Sequence, residues 1–229
     1  MEVSRTRTGS DPIDDFLKGG IENGIITNVF GESGSGKTNF CVQVAAELAS
    51  QGENIIYIDT ERGFSPERFA QIASEDELEN VKLFEPIDFE EQEKTVKEVA
   101  ELLENEDAGL VVVDSLVSLY RLQVNGENAS EINNRLSDQL SKLSEIARKH
   151  EIPVMVTNQV YSNFDENGIE LVGRDVPRYW SKCLLKLSKE EKGVRKIEIE
   201  KHRSMPEGKA RKFQIKGEGL SSPDEKGLF

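Results

Sequence analysis

Gly31-Glu32-Ser33-Gly34-Ser35-Gly36-Lys37-Thr38 fits the spacing G-x-x-x-x-G-K-[ST] at every position. The chemistry of that spacing is phosphate binding. Its glycines let the backbone curl until successive N–H groups point at one phosphate. A helix starting near Lys37 adds its positive N-terminal end. Lys37 then reaches the β- and γ-phosphates, and the Thr38 hydroxyl ligates Mg²⁺. Asp114 closes the apolar run Leu110-Val111-Val112-Val113. An acid at the C-terminal end of a central strand lies in the ligand crevice of an open α/β sheet, where it completes the metal shell. The bland alternative is an Asp that caps whatever follows. Hydrolysis also needs a group that orients water. Glu61 follows one apolar run and Gln159 another. Either alone says little, but on one rim of a parallel sheet they form a constellation.

The elements that must position these residues alternate along the chain. Residues 24–30, 54–60, 81–84, 109–115 and 152–158 read as strands. The run 109–115 is nearly all apolar, as suits a parallel strand buried on both faces. Residues 37–50, 89–103 and 129–150 carry apolar positions at helical spacing. Ser65 and Pro66 open a short helix, as N-cap and first helical residue. Residues 161–180 have no clean period and read as a long loop, a kind that is usually functional or disordered. Three strand-like runs follow at 183–188, 195–201 and 210–215, separated by turn signals. The pattern predicts an α/β fold: a mostly parallel central sheet flanked by helices, extended by antiparallel C-terminal strands. It predicts a single domain over 1–229, with 1–23 a lead-in, 160–181 a loop and 221–229 a frayed tail.

Composition narrows the class. The 229 residues hold 29 Lys+Arg against 43 Asp+Glu, a formal net charge of −14. Residues 53–107 carry 18 acids and five bases, whereas 178–216 carry 13 bases and five acids. One face is thus suited to a polyanion while the rest repels it. The alternative is Lys-rich strand faces that blunt exposed edges. The longest apolar run, 109–119, is broken by Asp114, so no membrane span is expected. Residues 1–8 have no apolar core, so no secretory signal is expected. Cys41 and Cys183 stand far apart in apolar contexts and read as core residues of a reduced, cytoplasmic chain. Two histidines and two cysteines without ligand spacing make no zinc site.

The ordered set TGSDPIDDFLKGGIENG, VFGESGSGKTNF, IYIDTERGFSPERF, LVVVDSLVSLYR, RLSDQLSKLSEIA, IPVMVTNQV and HRSMPEG resembles the RecA/RadA recombinase superfamily over almost the whole chain. The length and the Lys201-His202-Arg203 run are most similar to its short archaeal RadA paralogs. The resemblance implies a RecA-type P-loop NTPase core, with ATP and Mg²⁺ as cofactors. It implies that Glu61 activates water, that Gln159 senses the γ-phosphate, and that Asp114 is the Walker-B acid. It places Arg68 on the adenine and Pro206 in the cap that a neighbouring subunit lays over the nucleotide. Lys201 stands where RadA has an acid that helps hold monovalent cations. Lys201 and Arg203 are therefore expected to act in trans, as the similar pair does in KaiC-like ATPases, unless both merely face solvent.

The loop 161–180 corresponds to the family's second DNA loop. Tyr161, Phe164, Arg174, Arg178 and Tyr179 are its expected DNA contacts, with Trp180 either a stacking residue or core packing. Binding to single-stranded or branched DNA is expected to depend strongly on salt. No Phe-x-x-Ala segment occurs, the first DNA loop is short, at about 123–128, and the chain starts about thirty residues before the P-loop. Filament formation of the RadA kind and independent strand exchange are therefore not expected. The reading is an accessory recombination ATPase of weak turnover. Its expected partners are DNA, a RadA-like main recombinase, a repair nuclease or polymerase, and further copies of itself. The alternative is a KaiC-like signalling ATPase or an ATP-gated binding module that does not act on DNA.

Overall fold

The computed structural model describes residues 3–163, 168–173 and 175–224. A two-residue strand β1 (Arg5–Thr6) pairs antiparallel with β2 (Ile21–Glu22), and α1 (Asp11–Phe16) lies between them. The main sheet begins with β3 (Ile26–Gly31), which runs through the P-loop into α2 (Lys37–Ser50). Then come β4 (Ile55–Asp59), α3 (Pro66–Ala70), β5 (Val81–Phe84), α4 (Phe89–Leu102), β6 (Leu110–Asp114), α5 (Ser118–Gln123), α6 (Ala129–His150) and β7 (Val154–Asn163). The chain continues through β8 (Gly168–Leu171), α7 (Asp175–Trp180), β9 (Cys183–Lys189), β10 (Val194–His202), β11 (Ala210–Lys216) and β12 (Gly219–Ser221). The sheet order is β12-β11-β10-β9-β3-β7-β6-β4-β5, with β8 paired to β7. Strands β9, β3, β7, β6, β4 and β5 are mutually parallel, and the pairs involving β8, β10, β11 and β12 are antiparallel.

The parallel strands are apolar on both faces because both faces are covered. Tyr57, Leu110, Val112, Met155 and Leu185 point to the side that holds Phe40, Cys41, Val44, Ala45 and Leu48 of α2. Ile56, Ile58, Val111, Val113, Val154 and Val156 point to the other side, onto α4, α5 and α6. The period of two sorts neighbouring residues of one strand into two cores. Side-chain caps fix where two of the helices start. Ser65 Oγ accepts from the Arg68 N–H at 3.1 Å, and Asp88 Oδ1 from the Glu91 N–H at 2.8 Å.

Two segments differ from the sequence expectation. The stretch expected as an irregular loop continues β7 to Asn163, turns back as β8 and forms α7. A six-residue helix is shorter than two turns, so its sequence has no room to show a period. At the expected frayed end, Ser221 pairs with Gln214 in β12, and the Asp224 N–H donates to Gln214 Oε1 at 3.1 Å. The remainder of that tail, 225–229, lies outside the described residues. The lead-in joins the C-terminal strands directly: Ser10 Oγ donates to the Leu220 carbonyl at 2.7 Å. Among the described residues, no helix is long and apolar enough to cross a membrane.

Candidate nucleotide site

The C-terminal ends of β3, β4, β6 and β7 meet in one cleft of about 330 Å³. Ser33, Gly34, Gly36, Lys37, Thr38, Glu61, Asp114, Ser115 and Gln159 are among its lining residues. Two glycines of the P-loop are there by necessity. A Cβ on Gly31 would stand 2.1 Å from the Leu187 carbonyl oxygen of β9. Gly36 has φ +104° and caps α2 in the left-handed region, which side chains rarely adopt. The buried Ser35 hydroxyl has no partner among the described residues. Lys37 Nζ donates to the carbonyls of Gly31 and Glu32, 3.0 Å each. Burial lowers its pKa, and the nearby charges of Asp114 and Glu61 oppose that shift.

Asp114 is buried at the end of β6. Its carboxylate accepts hydrogen bonds from the hydroxyls of Thr157, Thr38 and Tyr57. Burial raises its pKa, and those three hydrogen bonds pull it back. The Tyr57 hydroxyl, 3.0 Å away, has its own pKa pushed well up by burial and by that carboxylate. Thr38 and Asp114 offer two oxygen donors, fewer than Mg²⁺ takes, so they could hold the ion only together with phosphate oxygens and water. Among the described residues, no group of three or more His, Cys, Asp or Glu is arranged to hold a metal. A curled glycine loop, a lysine at its end and this Thr–Asp pair fit a nucleotide with Mg²⁺.

Glu61 is held by a turn built on buried Asp59. The Asp59 carboxylate accepts the N–H groups of Glu61, Gly63 and Phe64 at 3.1, 3.1 and 2.8 Å. The ends of β4 and β6 are stapled together, since Thr60 Oγ1 donates to the Ser115 carbonyl at 2.8 Å and accepts its N–H at 2.9 Å. A cis peptide joins Asp114 to Ser115. Glu61 Oε1 accepts from Ser115 Oγ and from Gln159 Nε2, both at 2.8 Å. Gln159 Oε1 in turn accepts from Arg121 Nη1 of α5 at 2.5 Å. Arg121 was not singled out by the sequence, nor were Arg195 and Ile215, which also line the cleft. No local spacing marks them, because distant elements bring them there. Arg68 reaches across α3 to Asn39 Oδ1 at 2.9 Å and to the Gly217 carbonyl at 2.9 Å, which places it beside the first turn of α2.

The remaining candidates lie elsewhere. Leu187 of β9 pairs with Gly31, whereas Cys183 pairs with Thr27 and with His202 of β10. Lys201 and Arg203 therefore stand at the end of the sheet opposite the P-loop. Lys201 Nζ donates to the carbonyls of Arg178 and Ser181 at 2.8 and 2.9 Å. Arg203 forms an ion pair with buried Glu22. The Ser204 N–H donates to His202 Nδ1 at 3.1 Å, so Nε2 carries the proton and faces Glu22. Burial, helped by Arg5 and Lys18, lowers the His202 pKa. Pro206 is exposed in the turn from β10 to β11. Of the DNA candidates, Tyr161 is placed by its backbone in β7, opposite Glu170. Phe164 and Arg174 lie outside the described residues. Arg178 forms an ion pair with Glu200. Tyr179 is 71% exposed, with Lys182 Nζ 5.8 Å from its ring centroid. Trp180 packs against the α4–α6 core, and its Nε1 donates to Ser137 Oγ at 2.9 Å.

The description of the Rad51 family matches residues 1–223. The DNA repair and recombination protein RadB of Methanococcoides burtonii is 42% identical over 213 residues, 91% of this chain and 94% of that one. Its counterpart from Thermoplasma acidophilum is 38% identical, over 96% of this chain and 95% of its own. A crystal structure of the RadB recombinase superposes with a TM-score of 0.83 at 34% identity, covering 96% of this chain and all of that one. Matches of that length leave no part of the sheet or the cleft outside the resemblance, and the chain belongs to the Rad51 family, alongside its RadB DNA repair and recombination proteins.

Proposed function

We propose that this chain is an accessory recombination ATPase. It binds ATP with Mg²⁺, hydrolyses it slowly, binds single-stranded or branched DNA, and assists or regulates a RadA-like recombinase, with a repair nuclease or polymerase as a further partner. The observation that carries the reading is the hydrogen-bonded line Ser115–Glu61–Gln159–Arg121 along the rim of the cleft. It links the residue placed to handle water to β7, whose continuation forms the proposed DNA-binding hairpin.

The P-loop N–H groups and Lys37 hold the phosphates, and Arg68 flanks the base. Thr38 and Asp114 are the protein's ligands to the metal. Bound Mg²⁺ neutralises charge on the phosphate oxygens. Glu61 has Oε1 fixed by two donors, while Oε2 takes no hydrogen bond among the described residues. That free oxygen orients the attacking water and accepts its proton. Gln159 responds to the γ-phosphate and moves with β7. Lys201 and Arg203 are too far along the sheet to serve their own cleft, so a role at a nucleotide is one at a neighbour's. Without that neighbour turnover is slow, since a trans cation is worth about three to five orders of magnitude in related chemistry.

Steady-state ATP hydrolysis at low salt, with and without single-stranded DNA, tests the reading. Glu61→Gln is expected to lower turnover by about 10²- to 10⁴-fold with nucleotide binding intact. DNA affinity is expected to fall steeply as salt rises. A chain that hydrolyses ATP but binds no DNA at low salt would belong with the signalling ATPases instead.

A further inference from the structure

We infer that Arg195, flanked by Lys189, is a phosphate-binding residue of the same cleft, supplied by each chain to its own nucleotide. The inference rests on reading the cleft as a nucleotide site. Arg195 is the second residue of β10 and pairs with Lys189 of β9 on one side and Phe213 of β11 on the other. That end of β10 is level with the C-terminal end of β3, so its side chain reaches the cleft beside Ser33, Gly34, Gly36 and Lys37.

The guanidinium is almost unused by the protein. Its Nη1 donates at 3.2 Å to the carbonyl of the adjacent Val194. Its Nε is buried without a partner among the described residues. A buried donor left unpaired is costly, and an anion in the cleft would remove that cost. Lys189 does not line the cleft but approaches the same loop from the next strand. Its Nζ lies 3.1 Å from where a Cβ on Gly34 would stand, so the ammonium rests against the P-loop backbone. Neither cation makes an ion pair among the described residues. The cleft's acids are otherwise engaged: Asp114 by three hydroxyls, and Glu61 Oε1 by Ser115 and Gln159.

Three cations, Lys37, Lys189 and Arg195, therefore converge on one glycine loop. The nucleotide's β- and γ-phosphates are the anions that lie against that loop. The planar fork of an arginine suits two phosphate oxygens at once. Lys189 and Arg195, two bases within the stretch 178–216, then serve the nucleotide, although the charge of that stretch alone suits a polyanion such as DNA.

The test compares ATP, ADP and AMP binding by calorimetry to the full chain and to Arg195→Gln. ATP and ADP affinity are expected to drop about ten-fold or more, the loss of a charge-assisted hydrogen bond. AMP affinity and single-stranded DNA affinity without nucleotide should stay unchanged, and the free variant should melt no lower than its parent, since it no longer buries an unpaired donor. Arg195→Lys should recover part of the loss. The inference falls if ATP affinity is unchanged, if AMP loses as much as ATP, or if only DNA binding suffers. A parent chain that bound no ATP would overturn the nucleotide reading itself, a result distinct from a silent Arg195→Gln. Should Arg195→Gln fail to fold, Lys189→Gln under the same comparison decides, with a smaller loss of the same pattern expected.

Discussion

Asp114 combines the opposed demands of this site in one side chain. It is 4% exposed, and burial favours its protonated form, yet the metal-holding role proposed for it requires the ionised form. The hydroxyls of Thr157, Thr38 and Tyr57 stabilise the carboxylate without supplying a full charge. Because its pKa is raised in the folded chain, the free protein binds that proton more tightly than the unfolded chain does. Folding stability from this group is then intact at acid pH. It is lost as pH climbs from the ordinary carboxylate range through the raised native value. Asp114→Asn is expected to melt above the parent at neutral pH, with the gap closing as pH falls into the acid range. Adding Mg²⁺ and ATP should reverse the order, since binding stabilises only a chain that can hold the metal. Thermal melts across pH, with and without the ligand, check both signs; a free variant that melts below its parent at neutral pH would contradict the argument. At this scale the sequence was legible where function is local. The P-loop is one contiguous string, and Asp114, Glu61 and Gln159 each follow an apolar run. Tyr57, Arg121 and Arg195 carry no such mark, because only strand register and helix placement bring them to the rim.

Elements were legible in proportion to their length and burial. The ends of α2 and α6 follow their apolar spacing to the residue, and β6 is readable because both its faces are covered. The two-residue β1 and β2, the short α1 and α5, and the hairpin with α7 are too brief to display a period. Their positions are set by contacts with partners far away in the chain. The α7 helix is the clearest case. Pro177 is buried, Trp180 bonds Ser137 of α6, Arg178 pairs with Glu200 of β10, and Lys201 closes the helix end. Fixing one end of α7 leaves Tyr179 displayed to solvent next to Lys182, a fit arrangement for a base and its phosphate. Trp180→Ala is expected to cost about 2–3 kcal/mol in urea unfolding, less than a fully buried aromatic would. Single-stranded DNA affinity should fall with it, while ATP affinity holds within about two-fold. Ser137→Ala, which removes only the hydrogen-bond partner, should cost about 1 kcal/mol. Equal DNA affinity in Trp180→Ala and the parent would mean that α7 does not present Tyr179 to DNA.

At the scale of the molecule, the proposed trans role of Lys201 would make β10 a link between two nucleotides. Arg195 lies near its start, at the P-loop rim, and Lys201 lies near its end, about 20 Å further on. A copy that laid the Lys201 end over its neighbour's cleft would give each strand a cation on two successive nucleotides, one in cis and one in trans. In the isolated chain both distal cations are occupied, Lys201 by the carbonyls of Arg178 and Ser181 and Arg203 by Glu22. These contacts compete with a neighbour, and they are unequal. Lys201 gives up two neutral acceptors, whereas Arg203 would leave a buried carboxylate behind. Breaking such a pair from the charged side costs about 3–5 kcal/mol when both partners are buried. It costs less here, because Arg203 is half exposed. Lys201 is therefore the easier of the two to release. Lys201→Ala is expected to abolish ATP-dependent assembly in mass photometry while leaving the ATP affinity of single chains unchanged. Arg203→Ala is expected to lower the melting temperature first, through the stranded Glu22, whatever it does to assembly. If Lys201→Ala shifted the melting temperature and DNA binding but left assembly intact, Lys201 would be a clasp on α7 and nothing more. Any contact with a neighbour's nucleotide would then fall to the exposed turn at Pro206.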